Sequence, residues 1–137
     1  MIMLENCLRK NSKKGVYKMI NVKDIVYKEL SKVSENASDA YPHNWSMLPA
    51  VQFVEEENKV EEFTDDKEQS SYIRYRIDIW DNNSTSQIAC DVDDVMTTLG
   101  FLRTSCSDVP DPSGLKHKQM RYEAIIDCKK QFIYHTN

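Results

Sequence analysis

The sequence predicts an α+β fold: a mostly antiparallel β-sheet with a long hairpin, packed against two main α-helices. Three stretches carry that expectation. Residues 72–81 alternate strictly, with Ile73, Tyr75, Ile77 and Ile79 on one side and Arg74, Arg76 and Asp78 on the other, the period of a strand with one buried face. Residues 84–99 place Ile88, Ala89, Val92, Val95, Met96 and Leu99 on a single helical stripe. Residues 119–128 alternate again through Met120, Tyr122, Ala124, Ile126 and Cys128. Helices and antiparallel strands in this order favour a sheet with helices on one face.

The elements follow in order. A first helix is expected from Asn21, with Asp24 in its first turn and Val22, Ile25, Val26, Leu30 and Val33 as its apolar stripe. The polar run Ser34 to Asp39 ends it. Tyr41-Pro42-His43-Asn44-Trp45-Ser46 and Pro49 form an aromatic connection in which the prolines forbid helix. Tyr41 and Trp45 either lid the core or anchor a partner. A strand begins at Ala50 and runs to Phe63, followed by a turn at Thr64-Asp65-Asp66-Lys67. Residues 55–68 hold eight acids and two lysines, a net −6, a density expected of an arm projecting from the core. Ser84 and Gln87 have capping-box spacing for the second helix, and Gly100 stands where a left-handed residue closes it. A short strand is expected from Leu102 to Cys106. Asp108 to Gly114, with two prolines, reads as a loop, and Phe132-Ile133-Tyr134 as a final edge.

At 137 residues, 40% apolar and 29% charged, the chain has the size and balance of one domain. No run approaches a membrane span, and the opening Met1-Ile2-Met3-Leu4-Glu5 is too briefly apolar for a secretory signal. Five basic side chains against Glu5 give residues 1–18 a net +4, so the rest carries −8 of the total −4. Patterned sequence opens at Met19, which divides the chain into a flexible basic leader, 1–18, and a single domain, 19–137. Cys7, Cys90, Cys106 and Cys128 lack the C-x-x-C spacing of zinc and redox motifs. Cys90 and Cys128 are expected as small apolar residues of a reduced, intracellular protein.

Candidate chemistry is sparse, and no catalytic, cofactor or metal residue is assigned. Asp111, Asp127 and Lys129 imitate the two carboxylates and lysine of Mg²⁺-dependent nucleases, but Asp111 sits in a proline-rich turn that wants Asp for its own reasons. Asp91, Asp93 and Asp94 fall on the solvent side of the second helix. His43, His117 and His135 have no nucleophile beside them in sequence. Three glycines, Gly15, Gly100 and Gly114, cannot form a phosphate loop. Lys116, His117, Lys118 and Arg121 make a modest basic cluster.

Three stretches carry a resemblance: Ile20-Asn21-Val22-Lys23-Asp24-Ile25-Val26 leading to Tyr41-Pro42; Tyr72 to Trp80 with Asp81-Asn82-Asn83-Ser84-Thr85-Ser86; and Asp108-Val109-Pro110-Asp111-Pro112 before Lys116-His117-Lys118-Gln119-Met120-Arg121-Tyr122. Over residues 19–134 the chain resembles the tail-completion, or tail-terminator, proteins of long-tailed bacteriophages and prophages, also called head–tail joining proteins. The resemblance implies a non-enzymatic virion protein without cofactors. Such a subunit forms a homo-oligomeric, six-membered ring on the last ring of tail tube protein, ends polymerisation and offers a surface to the head–tail connector or neck protein. It is assembled in the bacterial host cytoplasm, and DNA passes its lumen without specific binding. A ring requires heterologous contacts, for which the acidic Glu61, Glu62 and Asp65 and the basic Lys116, Lys118 and Arg121 are the expected faces. Three alternatives remain: a head-side neck adaptor or stopper, the Mg²⁺-dependent nuclease, and a regulatory module binding a host protein through Tyr41 to Trp45.

Overall fold

A computed structural model describes residues 2–3, 21–64, 67–128 and 132–136. The fold is α+β, with two helices among the described residues and a predominantly antiparallel sheet. In chain order the elements are β1 (Ile2–Met3), α1 (Lys23–Leu30), β2 (Asn36–Ser38), β3 (Ala50–Thr64), β4 (Lys67–Asp81), α2 (Ser86–Thr98), β5 (Leu102–Val109), β6 (Lys116–Asp127) and β7 (Phe132–Tyr134).

The sheet runs β1-β7-β6-β4-β3-β2, with β5 beside β7 along the same edge of β6. β3 pairs antiparallel with β4 from Ala50↔Trp80 to Thr64↔Lys67, and their connection, residues 65–66, lies outside the described residues. β4 also pairs with β6 from Ser70↔Asp127 to Asp81↔Lys116. That second pairing corrects the expectation of an acidic arm standing off the core. Glu55 to Val60 lie opposite Tyr75 to Ser71, so they belong to the body of the sheet, and only the last residues before Thr64 run past β6. β2 is a strand that the polar run Ser34 to Asp39 did not announce. It pairs parallel to β3 through Asn36↔Ala50 and Ser38↔Gln52. Ile2–Met3, which the sequence reading places in a leader, pair with β7; residues 4–20 lie outside the described set.

One face of the sheet makes the core. Val51, Phe53, Ile73, Tyr75, Ile77, Ile79, Met120, Tyr122, Ala124 and Ile126 meet Val22, Val26 and Leu30 of the α1 segment and Ile88, Ala89, Val92, Met96 and Leu99 of the α2 segment in one buried cluster. The helices therefore cover this face, as period-2 and period-3.6 stripes require. The cap of α2 differs from expectation. Thr85 is the residue before its first turn and makes no side-chain cap. Ser84 accepts from the Ser86 amide instead, while Gln87 turns to Asp91. Gly100 does close the helix, at φ +103°. Cys128 is buried as expected; Cys90 is exposed, on the outer side of α2.

Candidate functional site

The sheet face away from the helices is polar, and two carboxylates organise it. A β-bulge between Glu55 and Glu57 inserts an extra residue opposite β4, which turns both Glu56 and Glu57 towards arginines. Glu56 Oε1 accepts from Arg121 Nε at 3.1 Å and Arg74 Nε at 3.3 Å, and its Oε2 lies 3.7 Å from Arg76 Nη1. Glu57 accepts from Arg74 Nη1 at 3.1 Å. Arg76 and Arg121 are direct cross-strand neighbours, an arrangement of like charges that costs stability unless a carboxylate lies between them. Glu56 is that carboxylate. Burial opposes its ionisation, but the hydrogen bonds and charges of Arg121 and Arg74 outweigh burial and hold its carboxyl below the usual range.

Asp78 is the second hub, with its side chain only 4% exposed. It accepts from Arg76 Nε at 2.8 Å and Gln119 Nε2 at 3.1 Å, and lies 2.8 Å from His117 Nε2. The alternation of residues 72–81 places Asp78 on the wetter side. The side is right, but three neighbours cover the residue. His117 stacks on Trp80 at 4.5 Å and 19°. Trp80 Nε1 donates to Asp111 Oδ1 at 3.3 Å, and the same oxygen lies 3.7 Å from His117 Nδ1. Tyr41 and Trp45 extend the ring contacts, each edge-on to Trp80 at 5.7 and 5.5 Å. Trp45 is half-buried and Tyr41 is 63% exposed, and both pack on Trp80, which is outside the core cluster, so the pair does not lid the core.

Beside this cluster lies a cleft of about 500 Å³ bounded by Asn83 to Ser86, Asp108 to Asp111 and Leu115 to Lys118. Asp111 accepts from the Ser113 hydroxyl and backbone N–H, and these bonds, against some desolvation, lower its carboxyl from the ordinary value. That is turn chemistry. Asp127 ends the opposite end of β6, beside Ser70 and Phe132. The length of β6 separates the two, roughly 40 Å for twelve residues, so this pair cannot share an ion; Lys129 lies outside the described residues. No group of three or more His, Cys, Asp or Glu among the described residues is placed to hold a metal. Asp93 does structural work, accepting from the buried Tyr122 hydroxyl at 2.8 Å and pairing with Arg103 at 3.3 Å. His43 is exposed, and His135 Nδ1 lies 3.2 Å from the Gly100 carbonyl oxygen.

Of the six residues expected at a subunit contact, the described ones are spread along the sheet. Glu61 is exposed in an irregular stretch of β3 near Ser70 and Ser71. The backbone of Glu62 pairs with Ser70, its side chain lies outside the described set, and so does Asp65. Lys116 is exposed at the far end, opposite Asp81. Lys118 binds Asp108 at 3.0 Å, and Arg121 is held by Glu56 of its own chain. Glu56, Asp78 and Trp80 were not singled out from sequence. The signal was present: three acids at 55–57 precede a strand bearing Arg74 and Arg76, and antiparallel register sets them opposite. No protein-family model and no curated protein matches this chain. No described helix is long and apolar enough to cross a membrane.

Proposed function

We propose that this chain is a structural, non-enzymatic subunit of a phage virion, one segment of a ring that caps the tail tube and joins it to the head. The observation that supports it most is that exposed Glu61 and exposed Lys116 stand at opposite ends of the sheet. With β3 and β4 taken as one long hairpin, its acidic end, at Glu61, stands away from Lys116 by the span of β4 from Ser71 to Asp81, roughly 35 Å. An exposed acid at one end and an exposed lysine at the other suit heterologous contacts, in which one end meets the other end of the next copy. The polar face adds to this: its carboxylates are neutralised by arginines of adjacent strands, which leaves a surface suited to packing. The resemblance of residues 19–134 to tail terminators supplies the particular ring. On this reading Glu61, Glu62 and Asp65 approach Lys116 and Lys118 of the neighbour, and Arg121 supports the contact through Glu56.

Tails assembled with and without the chain test the reading under the electron microscope. Overgrown tails of variable length are expected without it, and tails of uniform length in both preparations would overturn the proposal. Reversing Glu61, Glu62 and Asp65 to lysine should abolish the ring, and adding Lys116→Glu with Lys118→Glu should restore it. A ring indifferent to these changes would remove the assigned contact while leaving the termination role standing.

A further inference from the structure

We infer that His117 is a proton-operated tether, which binds the tip of the β5–β6 hairpin to the sheet when its imidazole carries a second proton and releases that tip when the proton is lost. The two ring nitrogens stand in unlike positions. Nε2 lies 2.8 Å from Asp78 Oδ1. Asp78 also receives Arg76 Nε and Gln119 Nε2, so it acts as an acceptor, and the first proton of the imidazole belongs on Nε2. Nδ1 is then a bare acceptor. It is buried, has no hydrogen-bond partner, and faces Asp111 Oδ1 at 3.7 Å. Two acceptors set against each other with little water between them, on side chains only 11% and 14% exposed, leave both unsatisfied there. A proton on Nδ1 turns the same approach into a charge-assisted contact.

That contact holds the hairpin tip, residues 110–115. Pro112, Ser113 and Gly114 are exposed, and the tip's own bonds run through Asp111: its carboxylate accepts from the Ser113 amide and its carbonyl oxygen from the Gly114 amide. Towards the sheet, Asp111 meets Trp80 Nε1 at 3.3 Å and His117. The stack on Trp80 at 4.5 Å and the bond to Asp78 together fix the imidazole, so Nδ1 stays aimed at Asp111. The tip also forms one wall of the cleft, and the proton therefore governs how firmly that wall is held.

The other charges nearby are engaged elsewhere or face water. On β4, Arg76 is held by the second oxygen of Asp78, and Asp81 stands opposite Lys116. On β5, Val109 lies opposite the histidine and Asp108 binds Lys118. On β6 itself, Lys116 is exposed. Tyr41 packs on Trp80, His43 is exposed, and residues 83–86, across the cleft, bear no charged side chain. The groups set against the two ring nitrogens are thus both carboxylates, and histidine is the side chain whose charge ordinarily changes between about pH 5 and about pH 8. The tether is independent of the proposed function: a chain that capped no tail would still carry it.

Amide exchange of the full chain at about pH 8 and about pH 5.5, each corrected for the intrinsic rate, reads the tip directly. The amides of Ser113 to Leu115 should be protected roughly five-fold more at the lower pH, the size expected of an ion pair that water partly reaches. Asp111→Asn keeps an oxygen for Trp80 but no charge, and His117→Gln keeps a donor for Asp78 but no titration. Each should abolish the difference, with circular dichroism showing that the variant is folded. Ring-nitrogen NMR of the wild type needs no variant: at about pH 8 the single imidazole proton should reside on Nε2. Equal protection at the two pH values, a pH response that survives in either folded variant, or a neutral imidazole protonated on Nδ1 would each overturn the inference.

Discussion

Glu56 takes hydrogen bonds from Arg74 and Arg121 while Arg76 approaches at 3.7 Å, so one carboxylate neutralises the crowding of three guanidinium groups. The linkage has a definite sign. Its folded carboxyl titrates below the ordinary value of 4.5, so its contribution is complete above that value and is lost as pH falls through the folded one. Glu56→Gln should lower stability at neutral pH by about 1–2 kcal/mol; the figure is discounted from that of a fully buried pair because water screens the half-exposed arginines. Thermal melts would also show the wild type losing more stability than the variant between about pH 5 and about pH 3. Equal acid slopes would show that the three arginines do not depend on this charge. Tyr75 and Tyr122 behave in the opposite sense: burial, reinforced by Glu55 and Asp93 respectively, raises their hydroxyls far above the usual range. Both therefore stay neutral donors in the core.

Among the elements, the glycine that follows α2 closely approaches β7. A Cβ on Gly100 would sit 2.5 Å from the Ile133 carbonyl oxygen, and the φ of +103° already disfavours any side chain. Gly100→Ala should cost about 2–4 kcal/mol, the sum of left-handed strain and a backbone clash that no side-chain rotation relieves. Chemical denaturation would measure it, and a loss below about 1 kcal/mol, the ordinary cost of an exposed change, would refute the close approach. The glycine was legible in sequence because helix termination is local chemistry. So were the alternation of Ile73 to Ile79 and the stripe from Ile88 to Leu99, since burial imposes their periods directly. β2 was not legible: Asn36 and Ser38 flank the single apolar Ala37, too short a pattern to mark a strand, and the segment pairs because β3 offers its edge. The Glu56 and Asp78 hubs were hidden for a related reason. Each depends on cross-strand register, which brings Arg121 to Glu56 from 65 positions away and which no single stretch of sequence encodes. The acidic arm failed as an expectation because charge density alone does not report that arginines wait on the next strand.

At the scale of the molecule, the described residues form a sheet with one helix-covered face and one polar face. His117 and His135 are held by structural contacts, and the carboxylates that imitate a nuclease lie at opposite ends of β6. Those features are why assembly, rather than turnover, is the role we propose. β6 also has a consequence for motion. It is bonded by β4 along one side and by β5 and β7 along the other, and Met120, Tyr122, Ala124 and Ile126 press into the core from it. Amide protons are released to solvent deuterium only when the surrounding structure opens, and the centre of a sheet opens last. The amides of Met120 to Ala124 should therefore retain hydrogen longest, and those of Asn36 to Ser38, on a three-residue border strand, should exchange early. Mass spectrometry of peptic fragments would read that order, and early exchange across Met120 to Ala124 would contradict the central place of β6.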